Sequence, residues 1–209
     1  VKLYDHEMAP GPRRARMFLH EKNIDAELIR VDLASCEQLG ERFRELNPDC
    51  TVPVLELEDG RRLCENLAIA SYLEAVRPSP PLFGSDDYER AQILEWHARI
   101  EAEGIGAVSD VFRNENPDFE GRALTGNRRV EQIAALADRS RLRAASLLDR
   151  LDAALAGREF LVGARFSFAD IGAFVTVEFA RWVNIQAKPR HDHLRAWHAR
   201  VSARSSASA

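Results

Sequence analysis

Apolar residues in the first 83 positions alternate between two rhythms, whereas from Tyr88 onward they keep to one. Lys2-Leu3-Tyr4 opens as a strand. Over positions 14–22, Ala15, Phe18 and Leu19 recur at helical spacing, and Pro12 suits the first helical turn. Positions 27–31 alternate again, and positions 37–46 read as a polar helix with Leu39, Phe43 and Leu46 on one side. Two short apolar runs, 53–57 and 62–64, flank Glu58-Asp59-Gly60, and Asp-Gly between strands predicts a hairpin. Asn66 is expected to cap a helix over 67–76. The predicted order is βαβ, a helix, then ββα.

Arg77-Pro78-Ser79-Pro80-Pro81-Leu82-Phe83-Gly84 marks the clearest boundary, because its prolines cannot continue the preceding helix and favour an extended connector. Beyond it, Ala91, Leu94, Ile100, Ile105, Val108, Val111 and Phe112 predict one long helical segment. A second long run covers 129–155 and stops at Ala156-Gly157, as a helix does before a glycine. Ser167-Phe168-Ala169-Asp170 opens another helix with a hydroxyl and a carboxylate spaced for reciprocal capping. A last helix is expected over 191–203, followed by a Ser/Ala-rich tail expected to fray. No internal repeat is visible. The expected organisation is a first domain at 1–77, a proline-rich linker at 78–87 and an all-helical domain at 88–209.

Composition narrows the classes. A chain of 209 residues can bury a sizeable core, and 30% charged with 45% apolar residues is ordinary for a globular protein. The net charge of −4 gives no basic face for nucleic acid, and no apolar run approaches a membrane span. Cys36, Cys50 and Cys64 are odd in number and form no Cys-x-x-Cys pair. That pattern argues against a metal site or a disulfide framework and points to a reduced, cytoplasmic compartment.

The order of elements, with Leu46-Asn47-Pro48, Val52-Pro53-Val54-Leu55, Glu65-Asn66-Leu67-Ala68-Ile69, Pro81-Leu82-Phe83 and Phe166-Ser167-Phe168-Ala169-Asp170-Ile171, resembles the cytosolic glutathione transferases. The resemblance spans nearly the whole chain. It implies a thioredoxin-like βαβαββα amino-terminal domain joined to an all-helical carboxy-terminal domain, with glutathione as cosubstrate and no metal. It further implies a cis bond before Pro53, so that Val52 offers its N–H and C=O to the extended cysteinyl backbone, a form of strand addition. Glu65 and Asn66 match the positions that hold the γ-glutamyl end, and Gln38 matches one near the glycine end. Asn66 departs from the serine found there in many relatives, although its amide can still donate to a carboxylate.

The loop that should activate the thiol is the anomaly. A thiol of ordinary pKa, about 8.5, is only a few per cent ionised at neutral pH. Relatives supply a Tyr, Ser, Cys, Asn or Thr between the first strand and first helix, but here the matching positions are Ala9, Pro10 and Gly11. Two groups remain: the Gly11 backbone N–H, where glycine permits close approach, and Arg13, which can supply positive charge. Arg14 and Arg16 are expected to form ion pairs within the domain, His6 to be an exposed loop residue, and Tyr4 to lie too early in the first strand.

The first functional expectation is a glutathione-dependent transferase that conjugates glutathione to a small hydrophobic electrophile or reduces disulfides or peroxides. Val108, Phe112 and Trp182 are its expected second-substrate contacts. The alternative is a non-catalytic glutathione-binding or protein-interaction module of the same fold. A homodimer is implied by the resemblance.

Overall fold

The computed structural model describes residues 1–209, and the chain divides into two compact units. The first comprises Val1–Pro80 with Thr125–Arg128 and the terminal Ala209; the second comprises Pro81–Leu124 and Arg129–Ser208.

The first unit is built on a four-stranded sheet in the order β2-β1-β3-β4, from β1 (Lys2–Asp5), β2 (Glu27–Arg30), β3 (Val54–Glu56) and β4 (Arg62–Leu63). β1 pairs parallel with β2 and antiparallel with β3, placing Leu3 between Leu28 and Leu55. The parallel pair needs a crossover, which α1 (Pro10–Glu21) supplies. The hairpin predicted at Asp59-Gly60 joins β3 to β4, with Gly60 at positive φ as its turn requires. Phe18, Leu19, Ile69 and Leu73 are buried on α1 and α3 (Asn66–Val76), which pack on each other. Each such side chain contributes about 1.5–3 kcal/mol through burial. A smaller cluster of Val31, Phe43 and Val54 holds Val52 and Cys64 against it.

A fully buried lysine closes this unit. Lys22, just after α1, forms an ion pair with Glu74 of α3, donates to the Pro80 carbonyl and lies over the Phe18 ring. Arg77 donates back to the carbonyls of Lys22 and Asn23. The buried charge is therefore paired and hydrogen-bonded, the condition under which burial of an ammonium is tolerated.

The second unit is helical: α4 (Asp87–Arg99), a π-helical segment (Ile100–Ile105), α5 (Gly106–Glu115), α6 (Ala134–Ala154), α7 (Phe168–Ala180) and α8 (Asp192–Ser202). All of α7 but Glu178 is buried, so it is the unit's central rod. Its start is held by the capping box expected from Ser167 and Asp170. Asp170 accepts from the N–H groups of Ser167 and Leu161, the Ser167 hydroxyl and the Trp197 indole. Burial pushes its carboxyl up to about 6, with these donors pulling it back toward ionisation. No helix is long and apolar enough to cross a membrane.

Five expectations change. The helix expected over 37–46 is a 3-10 turn (Glu37–Leu39) and then α2 (Glu41–Leu46), separated by Gly40 in extended conformation. The single segment expected from Tyr88 to Phe112 is interrupted by the π-helical turn. Gly104 packs there so tightly that an added Cβ would lie 2.7 Å from Thr176 Cγ2 and 2.8 Å from Leu147 Cδ2. The run expected from 129 begins as a helix only at Ala134. Leu82 and Phe83, expected in an extended connector, are buried: Phe83 stacks on Phe168, and the Leu82 carbonyl accepts from the Phe168 N–H. The tail expected to fray instead forms a 3-10 turn (Ser205–Ser208) with Ser206 and Ala207 buried. Small side chains fit against the core there, and Arg204 lies over the Phe166 ring at 4.1 Å.

Asp170→Ala leaves buried N–H donors of Leu161, Ser167 and Trp197 without an acceptor, at a cost of about 3 kcal/mol. Urea denaturation monitored by tryptophan fluorescence measures this directly; a loss below about 1 kcal/mol would contradict the role given to the carboxylate.

Candidate functional site

The loop from β1 to α1 ends in an unusual helix start. Ala9 is the N-cap, in extended conformation, and α1 begins Pro10-Gly11-Pro12. Pro10 and Pro12 carry no N–H. The Arg13 N–H is already bonded to the Ala9 carbonyl at 3.2 Å. Of the four amides that a helix leaves open at its N-terminus, only the Gly11 N–H remains here. The positive end of the helix dipole is thus presented through one donor.

Gly11 is pressed against the Val52–Pro53 segment. A Cβ on Gly11 would lie 2.9 Å from the Val52 carbonyl oxygen, 3.2 Å from Pro53 Cδ and 3.7 Å from Asn66 Nδ2. Three stretches distant in sequence, the α1 start, the residues before β3 and the α3 start, therefore meet at one place. The Val52–Pro53 bond is cis. The ladder between β1 and β3 begins at Val54, and the Val52 N–H and C=O take no part in it.

Asn66 lies within the α3 start rather than capping it: Glu65 is the N-cap residue, and Asn66 is the first helical residue. The difference is one residue, with its side chain inward. Asn66 is buried and makes no side-chain hydrogen bond, so its amide is an uncommitted polar group beside Gly11. Glu65 is exposed, and its carboxylate makes no ion pair or capping bond within the protein. Gln38 sits half-buried in the 3-10 turn, and its Oε1 is buried without a hydrogen-bond partner. A buried unsatisfied acceptor is an exception that invites a ligand N–H. Arg13 follows Gly11 in the first turn of α1 and is half-buried.

Sequence reasoning missed Asn47 as a positioning residue. It is buried, and its Nδ2 donates to the Thr51 carbonyl at 3.0 Å and to Thr51 Oγ1 at 2.8 Å. Its Oδ1 accepts from the Asp49 N–H. Asn47 thereby fixes the residue immediately before Val52. Asn-Pro at 47–48 marks a turn in the sequence, but nothing local shows what that turn positions.

The other loop side chains are committed elsewhere. Tyr4 points its hydroxyl toward Glu56 at 3.5 Å and packs edge-on to Phe43. Lys2 and Arg62 hold the Glu56 carboxyl below its usual range, chiefly through the Arg62 hydrogen bond. His6 Nδ1 accepts from the Met8 N–H at 3.2 Å, making it a half-buried loop constraint rather than an exposed residue. Arg16 is buried and forms the expected ion pair, with Asp5. None of the three cysteines is in a disulfide; burial and the neighbouring Glu65 push the Cys64 thiol up.

In the helical unit, Phe112 packs against Phe119, Phe179 and Trp182 with ring centroids 5.1, 5.7 and 5.8 Å away. Phe112 is half-buried and Trp182 exposed, whereas Val108 is fully buried and serves the core.

Comparison with known proteins places this geometry. The family described as "Glutathione S-transferase, N-terminal domain" matches residues 10–76, and "Glutathione S-transferase, C-terminal domain" matches residues 111–205. The chain is 32% identical to glutathione S-transferase 2 of Saccharomyces cerevisiae over 98% of its own length and 86% of that protein. Among solved structures, a glutathione S-transferase domain-containing protein from Marinobacter aquaeolei superposes with a TM-score of 0.90 and 36% identity, covering 99% of each chain. Gtt2 of Saccharomyces cerevisiae also reaches 0.90, with 31% identity, 99% of this chain and 98% of that one. With glutathione as its cosubstrate and a thioredoxin-like sheet unit preceding a helical one, the chain belongs to the cytosolic glutathione S-transferase superfamily and is an enzyme of that type.

Proposed function

We propose that the protein activates glutathione with the Gly11 backbone N–H in place of a side-chain hydroxyl or thiol. The observation that carries this reading is the single open amide at the start of α1, set against Val52 and Pro53. A thiolate there accepts one hydrogen bond and lies at the positive end of the helix dipole. Each unit by which the thiol pKa falls requires about 1.4 kcal/mol of preferential stabilisation of the thiolate. Charge-assisted hydrogen bonds of about 1.5–3 kcal/mol are of the right size, and Arg13 adds positive charge in the same turn.

The remaining residues hold the peptide. Val52 pairs with the cysteinyl backbone through the groups that the sheet leaves open. Glu65 receives the γ-glutamyl ammonium, Asn66 donates to its carboxylate, and the Gln38 oxygen accepts from the glycine end. These residues fit the tripeptide because the polar groups it needs are uncommitted within the protein. The activated sulfur attacks a small hydrophobic electrophile, or a disulfide or peroxide. With no cysteine in the loop, the sulfur comes from glutathione rather than from the enzyme.

Two substitutions separate activation from binding. Gly11→Ala drives a methyl group into the Val52 carbonyl and is expected to lower kcat/KM about tenfold or more with a model aromatic electrophile. Glu65→Ala is expected to weaken glutathione binding about tenfold to a hundredfold by calorimetry, the loss of one charge-assisted contact. Full activity in the first variant, or unchanged affinity in the second, would remove the corresponding role.

We further propose a homodimer through the long helices α4 and α6. Their exposed Tyr88 and Leu142, 73% and 72% accessible, support it. Sedimentation at micromolar concentration reads this directly, and a single monomeric species would overturn it.

A further inference from the structure

Arg16 is the seventh residue of α1, yet its side chain folds back to the loop before the helix. Its guanidinium forms an ion pair with Asp5 at the end of β1. The same group donates to the Glu7 carbonyl at 2.8 Å through Nη2 and to the His6 carbonyl at 3.4 Å through Nη1. Both partners of the pair are buried. The His6 carbonyl also accepts from the Ala9 N–H at 3.0 Å, which closes the turn into the helix. Asp5 is fixed in its own right, because its carbonyl accepts from the Val31 N–H at 2.7 Å.

A buried ion pair alone is weak grounds for assigning a role, since apolar replacements are often neutral for stability. Here the group does more than pair. A planar fork can satisfy a carboxylate and two carbonyls at once, which an ammonium on a flexible stem does poorly. Asp5, His6 and Glu7 bond directly to the Arg16 guanidinium, and Met8 and Ala9 bond in turn to His6. The last residue of that turn sets where Gly11 begins.

We propose that Arg16, working with Asp5, is a positioning residue for the reaction: it sets the β1–α1 turn so that the Gly11 N–H meets the glutathione sulfur. This rests on the reading of Gly11 as the activating donor. Arg16 touches neither substrate nor sulfur and acts through the turn. Its charge is compensated by Asp5, so the effect lies in geometry rather than in the field of a free cation. The two explanations separate on lysine, which keeps the charge and loses the fork.

The test is an ultraviolet titration of the thiolate of glutathione bound to the full-length enzyme, for the wild type, Arg16→Lys and Arg16→Met. Glutathione affinity and thermal stability are measured alongside. The wild type is expected to hold the bound thiol below its free pKa. Both variants are expected to raise it by about one unit, a tenfold loss of thiolate at neutral pH, with glutathione affinity little changed. If Arg16→Met fails to fold, Arg16→Lys alone decides. Variants that keep the wild-type thiol pKa, whatever happens to their stability, would overturn the positioning role; restoration by lysine would assign the effect to charge and overturn it as well. A wild type that leaves the bound thiol at its free pKa would instead refute Gly11 as the activating donor and leave Arg16 nothing to position.

Discussion

Gly11 and the Val52 carbonyl approach so closely that no side chain fits between them, and the arrangement of the first unit follows from that contact. It joins the start of α1 to the segment entering β3, with the buried Asn66 amide beside both. Two flanking prolines then reduce the usual set of open helix amides to one. A helix N-terminus ordinarily spreads its positive end over several donors. Here the loop composition concentrates it at a glycine, the residue that permits the closest approach of another group.

The remainder of the first unit keeps that contact in register. Asn47 fixes Thr51 on one side, Arg16 and Asp5 fix the turn on the other, and Lys22 with Glu74 and Arg77 ties α1 to α3 behind them. Asn47, Arg16, Asp5 and Lys22 are buried polar groups with their partners supplied, and such groups specify one arrangement more sharply than apolar packing alone. The helical unit uses the same device at Asp170, where one carboxylate gathers four donors from a loop, a helix cap and an indole.

Periodicity carried most of the architecture. The strands at Lys2–Asp5 and Val54–Glu56, the turn at Asp59-Gly60 and the capping box at Ser167 and Asp170 were legible because each is governed by residues adjacent in sequence. The errors have a common cause. Whether Gly40 breaks a helix, whether Gly104 admits a π-turn against Thr176 and Leu147, and whether Ser206 and Ala207 are covered are decided by tertiary neighbours. The site divides similarly. Val52, Pro53, Glu65 and Asn66 stood out through motif and order, and the missing hydroxyl was visible at Ala9-Pro10-Gly11. That Asn66 turns inward, that His6 and Tyr4 are committed elsewhere, and that Arg16 reaches back to two carbonyls required the fold.

The central claim is that a single backbone amide activates the thiol, and a crystal structure of the enzyme with glutathione bound tests it most directly. The account predicts the sulfur within hydrogen-bonding distance of the Gly11 N–H, with the cysteinyl backbone paired to Val52. A sulfur turned away from Gly11 and held by a side chain would contradict it.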